Sequence, residues 1–193
     1  MPTIGVAVAI PEPYGDELRH ARLRCGDSLA TAIPTHVTLL PPTEVDLAAT
    51  QAIDEHLLKV ADETLTFGML LRGTGTFRPV SPVVFVQVAV GLVECERLAA
   101  QVRSGPLAGG ELAFPYHPHV TIAHDTPESA LDLAFDELAG YEATFEVNGF
   151  SLYRHGNDGV WRPVRTYGFS APGRSPDQPA QGTARSTGGR AGA

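Results

Sequence analysis

The sequence is poor in cysteine and in lysine, and each shortage excludes a class of protein. Cys25 and Cys95 are the two cysteines among 193 residues, and they form no CxxC or CxH pair. A disulfide framework and a thiolate zinc site are therefore excluded. Lys59 is the single lysine, and the formal net charge is -8. Sequence-independent binding along a polyanion needs clustered basic residues, so we expect no tracking along long nucleic acid.

Long apolar runs are also missing. No stretch approaches the roughly 18 apolar residues that a membrane-spanning helix needs, and residues 1–4 show no basic signal-peptide start. We therefore expect a cytoplasmic protein with no membrane partner. Residues 172–193 contain almost no large apolar side chain, and this composition predicts a disordered tail.

The chain repeats one plan of predicted elements. Each copy has a buried β-branched strand, a helix, a His-Val-Thr strand, a second helix and a closing strand that contains Thr-Phe. In the first copy, Pro41-Pro42 is predicted to end the His-Val-Thr strand at Leu40. The predicted ranges are 3–10, 16–24, 36–40 and 46–61 in the first copy, and 83–90, 93–103, 119–123 and about 127–138 in the second.

This repetition predicts an α+β fold built by duplication. We expect a bilobal domain over residues 1–171, with lobes of about 1–80 and 81–171. Two antiparallel-rich sheets should be related by a pseudo-two-fold axis, with helices packed outside and a cleft at the centre. We expect a monomer.

The two His-Val-Thr units are the strongest functional signal. Side chains alternate along a strand, so His36 and Thr38 share one face, and His119 and Thr121 share another. The opposite residues are apolar and predict a packed face. A histidine and a threonine on the other face must reach water or a ligand, because burying them unpaired is costly. A two-fold axis would bring both polar faces to one cleft.

Such a pair suits phosphodiester chemistry. One imidazole can take a proton from the attacking hydroxyl or water while the other gives one to the leaving oxygen, since histidine titrates near neutral pH. The hydroxyls of Thr38 and Thr121 can donate to phosphoryl oxygens. We therefore predict His36 and His119 as catalytic residues and the two threonines as phosphate-binding residues, with no metal and no cofactor.

The units "HVTLL" and "HPHVTIA" resemble the paired motifs of the two-histidine phosphoesterases, the superfamily of bacterial 2′-5′ RNA ligases and cyclic nucleotide phosphodiesterases. The resemblance covers residues 1 to about 170 and includes "GTGTF" at 73–77. It implies a duplicated bilobal fold and metal-independent action on a 2′,3′-cyclic phosphate or a 2′-5′ linkage, of an RNA end or a small nucleotide. Reverse 2′-5′ ligation is implied as well.

One departure concerns the end of the second motif. Relatives of this type often carry arginine where this chain has Ala123-His124. His124 is either a substitute ligand for the substrate or the end of a strand. Two alternatives to an RNA-directed enzyme stay open: a specialist for another small cyclic phosphodiester, and a non-catalytic module that binds RNA ends or nucleotides.

Other residues near the motifs are weaker candidates. Tyr116 is predicted to stack on a base, and Arg78 is predicted to contact substrate phosphate. His117 and His119, with His124 or Asp125 as a third ligand, form an alternative metal site. That site would leave the repeated His-x-Thr unit unexplained, so we favour the acid-base pair.

Overall fold

A computed structural model describes residues 1–109 and 114–170 of the chain. Within these ranges the chain forms eight strands and four α-helices. In order they are β1 (Thr3–Ala9), α1 (Tyr14–Arg24), β2 (His36–Glu44), α2 (Thr50–Asp62), β3 (Phe67–Thr76), β4 (Val83–Val90), α3 (Leu92–Val102), β5 (His119–His124), α4 (Glu128–Glu137), β6 (Glu142–Val147), β7 (Gly149–His155) and β8 (Trp161–Gly168). The tail predicted to be disordered lies outside the described residues.

The strands form two four-stranded sheets. Sheet 1 has the order β2-β1-β7-β8, and sheet 2 has the order β5-β4-β3-β6. Neighbouring strands within both sheets are antiparallel. The predicted α+β class with two antiparallel sheets is therefore confirmed.

Each sheet combines strands from both halves of the chain. β7 and β8 come late in the sequence but pair with β1 in sheet 1, whereas β3 comes early but pairs with β4 in sheet 2. The sheets therefore do not follow the chain ranges 1–80 and 81–171. β3 closes the first repeat and pairs with β4, the first strand of the second repeat. The predicted closing strand of the second repeat is two strands: β6, which carries Thr144-Phe145, pairs with β3, and β7 pairs with β1.

The strand that carries His36 is longer than predicted. Pro41-Pro42 was expected to end it at Leu40, but β2 continues to Glu44. β2 is the edge strand of sheet 1, and its pairing with β1 shifts register between the Leu40 and Thr43 positions. Proline lacks the N–H that a ladder needs, and an irregular edge strand tolerates that loss.

Both His-x-Thr strands lie at sheet edges, and these edges approach each other. β2 is the edge of sheet 1, β5 is the edge of sheet 2, and the two strands are in contact. The predicted alternation is present in both: Val37 and Leu39 are fully buried, as are Val120 and Ile122, whereas the histidines and threonines are half-buried. The fold thus brings both polar faces to one cleft.

The helices cover the apolar faces of the sheets. α3 contacts β2 and α1 contacts β5, so each His-x-Thr strand is backed by a helix from the other repeat. α2 lies against β8 and α3. Among the described residues, no helix combines the length and the apolar character needed to cross a membrane.

Candidate active site

The two motif histidines are anchored in the same way. His36 Nδ1 lies 2.6 Å from the carbonyl oxygen of Pro34, and His119 Nδ1 lies 2.6 Å from that of His117. In each case the partner is two residues upstream. A carbonyl oxygen only accepts, so Nδ1 carries the proton in both rings. The neutral form of each ring therefore presents an unprotonated Nε2.

The free nitrogen of His36 has a hydroxyl beside it. His36 Nε2 lies 3.1 Å from Thr38 Oγ1, so the two polar groups of the first motif are in direct contact. An unprotonated Nε2 accepts from this hydroxyl, and an imidazolium donates to it. The histidine and threonine of the motif thus form one polar unit that faces the cleft.

Burial depresses the basicity of both rings. It lowers the pKa of His36 below its usual value, the bond to the Pro34 carbonyl opposes this, and the positive charge of Arg22 lowers it further. Burial likewise lowers the pKa of His119, opposed by the His117 carbonyl. Charge on His117 and on His36 lowers the pKa of His119 further.

Three cavities meet at the motifs. The first, which we call the Trp161 cavity, is lined by Gly5, Val6, Ala7, Ile33, Pro34, His36, Thr38, Leu40, Pro42, His124, Tyr153 and Trp161. The second, the Phe77 groove, is lined by Thr38, Pro41, Thr76, Phe77, Val80, Ser81, Val83, Phe114, Pro115, Tyr116, His117, His119 and His124. The third, the Arg22 pocket, is lined by Arg22, Asp27, Leu29, Ile33, His36, Thr121 and His124.

Two of these cavities are each lined by residues of both motifs. Thr38 of the first motif shares the Phe77 groove with His119 of the second, and Thr121 of the second shares the Arg22 pocket with His36 of the first. This exchange is what a two-fold arrangement of two equivalent strands produces. A phosphate at the crossing would have a histidine and a threonine from each repeat around it.

His124 lines all three cavities. It is the last residue of β5, its side chain is 46% exposed, and its Nε2 lies 3.4 Å from Asp125 Oδ2. Asp125 has a φ of 52°, a left-handed backbone conformation that is uncommon for a residue with a side chain. His124 is both the end of the strand and a wall of the cleft, so the two readings of this residue are compatible.

A buried ion pair supports the first motif. Arg22 is 4% exposed and Asp27 is 5% exposed, with 2.8 Å between Arg22 Nε and Asp27 Oδ2. Arg22 Nη1 also donates to the carbonyl oxygen of Ile33 at 2.6 Å. The next residue, Pro34, supplies the carbonyl that orients His36. The ion pair therefore fixes the loop that sets the ring of the first histidine.

Tyr116 supports the second motif and connects it to the first. Its hydroxyl donates to the Thr38 carbonyl oxygen at 2.7 Å, and the Arg103 guanidinium lies 5.2 Å from the centre of its ring. Burial raises the pKa of Tyr116 far above its usual value. Tyr116 lines the Phe77 groove, and its hydroxyl is engaged in holding the Tyr116 segment against β2.

The predicted phosphate contact Arg78 is held elsewhere. Its Nη1 donates to Glu128 at 2.5 Å and to Asp132 at 2.8 Å, both on α4. These two carboxylates raise the pKa of Arg78. Arg78 does not line the three cavities described above. Because its charge is already neutralised by two carboxylates, we do not include it in the substrate site.

The alternative metal site is not assembled. In the two described ranges, no group of three histidine, cysteine, aspartate or glutamate side chains is placed to hold one ion. His117 precedes β5 instead of sharing its face, and its ring lies 6.2 Å from that of His119, with Phe77 packed edge-on against both. Pro118 between the two histidines delays the start of the regular strand.

Several residues of the site carry no obvious motif. Arg22, Asp27, Tyr153 and Trp161 line the cavities beside His36, and sequence reasoning did not single them out. Trp161 is the only tryptophan of the chain, a rarity that could have drawn attention to it. The position of Arg22 and Asp27 depends on how a loop folds back on α1, and no spacing rule reveals that.

Comparisons with known proteins identify the family. The model of the 2′-5′ RNA ligase superfamily matches residues 10–159, well over half of the chain. A protein of Oceanobacillus iheyensis that carries a provisional phosphoesterase name is 27% identical over 148 residues, which are 77% of this chain and 81% of that protein. A similarly named protein of Halalkalibacterium halodurans is 28% identical over 135 residues, covering 70% and 73%.

Solved structures share the fold. LigT of E. coli, complexed with 3′-AMP, superposes with a TM-score of 0.66 at 19% identity, covering 88% of this chain and 99% of LigT. TT0787 of Thermus thermophilus also gives 0.66, at 22% identity and with coverage of 89% and 100%. With the family model and the paired motifs at one cleft, these likenesses assign the chain: it belongs to the 2′-5′ RNA ligase superfamily.

Proposed function

We propose that this protein is a phosphoesterase that opens a 2′,3′-cyclic phosphate of a small nucleotide or an RNA end without a metal ion. The observation that carries the proposal is the matched placement of His36 and His119. Both rings are fixed through Nδ1 to a carbonyl two residues upstream, which leaves Nε2 unprotonated in each neutral ring. Two imidazoles held in this way on edge strands that contact each other suit acid-base catalysis on one phosphate.

The reaction balances with the two histidines alone. The neutral ring takes a proton from water as the water oxygen attacks phosphorus, and one of the two ester bonds to the ribose breaks. The protonated ring gives its proton to the ribose oxygen that leaves. Exchange of protons with solvent then restores both rings. When a 5′-hydroxyl attacks phosphorus in place of water, the same two proton transfers give a phosphodiester instead of a monoester, which is the ligation for which relatives are named.

Three further residues are proposed to hold the phosphate. The hydroxyl of Thr121 would donate to its non-bridging oxygens, where negative charge grows during the reaction. The hydroxyl of Thr38 would do so when His36 is protonated and donates to Thr38 Oγ1. His124 lines every cavity at the crossing and stands where relatives often carry arginine. As an imidazolium, His124 would donate a charged hydrogen bond to the same phosphate.

The charges of the described residues favour a small substrate. Three arginines are already paired with carboxylates. Arg78 pairs with Glu128 and Asp132, Arg162 pairs with Asp158, and Arg165 pairs with Asp54. A long RNA strand needs unpaired cations along its path. LigT, which has the same fold, is known in complexes with 3′-AMP, ATP and NADP+. Both observations support a nucleotide as substrate.

The test is hydrolysis of adenosine 2′,3′-cyclic phosphate in the presence of EDTA. We expect turnover by the wild-type protein, and we expect both His36→Ala and His119→Ala to lose about 10²–10⁴-fold in kcat. Full activity after EDTA treatment supports the metal-independent reaction. The exposed His20→Ala serves as the control, because His20 lies on α1 and lines none of the three cavities. Absence of turnover in the wild type, or normal turnover in either motif variant, would contradict the proposal.

A further inference from the structure

The Trp161 cavity is built differently from the other two cavities. Its floor is the buried centre of sheet 1, at Gly5, Val6 and Ala7 on β1 and Leu40 on β2. None of the described residues that line it is aspartate, glutamate, lysine or arginine. A cavity without charged walls other than histidine disfavours a second phosphate and favours an uncharged group.

Trp161 is held firmly as one wall. Its backbone N–H donates to the carbonyl of Ala32 at 2.9 Å, which ties the start of β8 to the loop that leads to His36. The His155 ring lies 4.9 Å from the indole, centre to centre. The orientation of the indole is therefore set from its backbone and from its neighbour.

Glycine at position 5 leaves the space that the indole uses. A β-carbon at this position would lie 3.2 Å from Cζ3 and 3.6 Å from Cη2 of Trp161. Any larger residue would push the indole away from the sheet or into the cavity. Because Gly5 has no side chain, the indole of Trp161 approaches β1 closely, and this leaves a narrow slot beside His36 and Thr38.

The cavity is also the right size and in the right place. Its volume is about 330 Å³, at the lower end of the roughly 300–1,000 Å³ typical of small-molecule sites. It is continuous with His36, Thr38 and His124, the groups proposed to act on the phosphate. A ribose attached to that phosphate would carry its base into this slot.

The Phe77 groove is a poorer match for a single flat group. Two of its aromatic rings, Phe77 and Tyr116, are already engaged, one against His119 and the other in the bond to Thr38. Its outer wall is formed by Val80, 71% exposed, and Phe114, 60% exposed. Stacking on an aromatic ring adds to the gain from burial, and in the Trp161 cavity the ring concerned contacts His155, which lies outside the motifs.

From these features we propose that the Trp161 cavity is the base-binding subsite, in which the nucleobase on the His36 side of the phosphate stacks on Trp161 above Gly5. The proposal rests on the proposed function, because it presumes a nucleotide whose phosphate lies between His36 and His119. It makes Trp161 and Gly5 determinants of substrate specificity. Neither residue takes part in the proton transfers.

The test uses binding and does not depend on turnover. Trp161 is the only tryptophan, so the intrinsic fluorescence of the whole protein reports on this cavity. Titration with adenosine 3′-monophosphate should change that fluorescence saturably, whereas titration with inorganic phosphate should not. A response to phosphate equal to the response to the nucleotide would overturn the assignment.

Two variants test whether the base binds in the Trp161 cavity. By calorimetry, Trp161→Leu should raise the Kd for adenosine 3′-monophosphate about tenfold, since stacking on an aromatic ring is worth about 1–3 kcal/mol per base. The same variant should bind inorganic phosphate as the wild type does, which a general loss of structure would not allow. Gly5→Ala should weaken nucleotide binding in the same direction. Its circular dichroism spectrum provides the check on folding.

Phe114→Leu is the matched control on the other side, and it should leave the Kd for the nucleotide within about twofold of the wild-type value. If Phe114→Leu weakens binding and Trp161→Leu does not, the base lies in the Phe77 groove and the proposal is wrong. Turnover of a cyclic phosphate without any Trp161 response would overturn this subsite but leave the proposed function standing. Absence of turnover would instead overturn the proposed function itself.

Discussion

The two His-x-Thr motifs have the same anchoring but different surroundings. His36 and His119 both hold Nδ1 to a carbonyl two residues upstream at 2.6 Å. Beside His36 there is a permanent cation, Arg22, and an open apolar cavity. Beside His119 the rings of Phe77 and Phe85 lie 5.0 Å away, and the cavity on this side is the Phe77 groove.

This difference separates the features that the proposed proton transfers require from the features that substrate recognition requires. In the proposed reaction both histidines present Nε2 to one phosphate, and each ring is anchored to a carbonyl two residues upstream in the same way. Under the proposed base subsite only one side has to accommodate a base, so the walls are free to differ. The Trp161 cavity beside His36 would recognise the base, and the aromatic rings packed against His119 would support that histidine.

The largest expected effect concerns the supports of the two loops. Arg22→Met leaves Asp27 buried without its partner, and breaking a buried ion pair in this way costs about 3–5 kcal/mol of unfolding free energy. Arg103→Met is the matched change before the second loop and removes a guanidinium that lies over Tyr116. It should cost only about 0.5–1 kcal/mol.

Urea unfolding of both variants and of the wild type, with circular dichroism as the signal, measures this difference. The slope of the transition should stay constant, so that the midpoints report stability. Equal losses in the two variants would mean that the buried pair contributes no more than the surface contact. The first loop would then have no special support.

A smaller effect distinguishes the two threonines. Thr38→Val removes a hydroxyl that contacts both the cleft and His36 Nε2, so we expect kcat to fall by about 10²-fold. Thr121→Val should lower kcat only about tenfold, because Thr121 shares the Arg22 pocket with His124, which is proposed to hold the same phosphate. Steady-state kinetics on the cyclic phosphate measure both, and Thr→Ser at each position should restore activity. A larger loss at Thr121 would reverse the comparison.

The smallest effect is on pH dependence. Burial lowers the pKa of both motif histidines, so the state with one neutral and one protonated ring should be most populated below about pH 6.5, the ordinary histidine value. The plot of kcat/KM against pH should therefore be bell-shaped, with its maximum on the acidic side and a decline as the pH rises to about 8.

His117→Gln tests whether the two limbs of the kcat/KM profile belong to different histidines. Charge on His117 lowers the pKa of His119, so its removal should raise that pKa and move one limb of the profile to higher pH. The other limb, dominated by His36, should stay in place. The backbone carbonyl of residue 117, which anchors His119, remains in the variant. A profile that does not move, or two limbs that move together, would contradict the separate environments of the two rings.

The fold class and the approach of the two His-x-Thr strands could be predicted because both depend on repeated local patterns. Alternation along a strand placed Val37 and Leu39 in the core and left His36 and Thr38 on the polar face. The order of elements repeated, so two similar units and a shared cleft followed. Burial of the alternate residues and the contact between β2 and β5 agree with this reading.

The pairing of β3 and β7 with strands from the other half of the chain could not be predicted from local patterns, and neither could the Trp161 cavity. Nothing in the local sequence of β3 or β7 states which sheet each joins, because pairing depends on partners that are distant in the chain. The Trp161 cavity likewise needs β1, β2, β7 and β8 together before it exists. The prediction that Pro41-Pro42 ends the strand was wrong for a related reason. A strand tolerates proline when it lies at the edge of a sheet, and the local sequence does not show that β2 lies there.

The crossing of the closing strands has a consequence for the architecture as a whole. If the chain were cut between β3 and β4, the first fragment would keep β3 but lose β7, one of the two partners of β1. The second fragment would keep β7 but lose β3, one of the two partners of β4. Neither fragment would hold a complete sheet, and the cleft between β2 and β5 would form only when the two fragments associate.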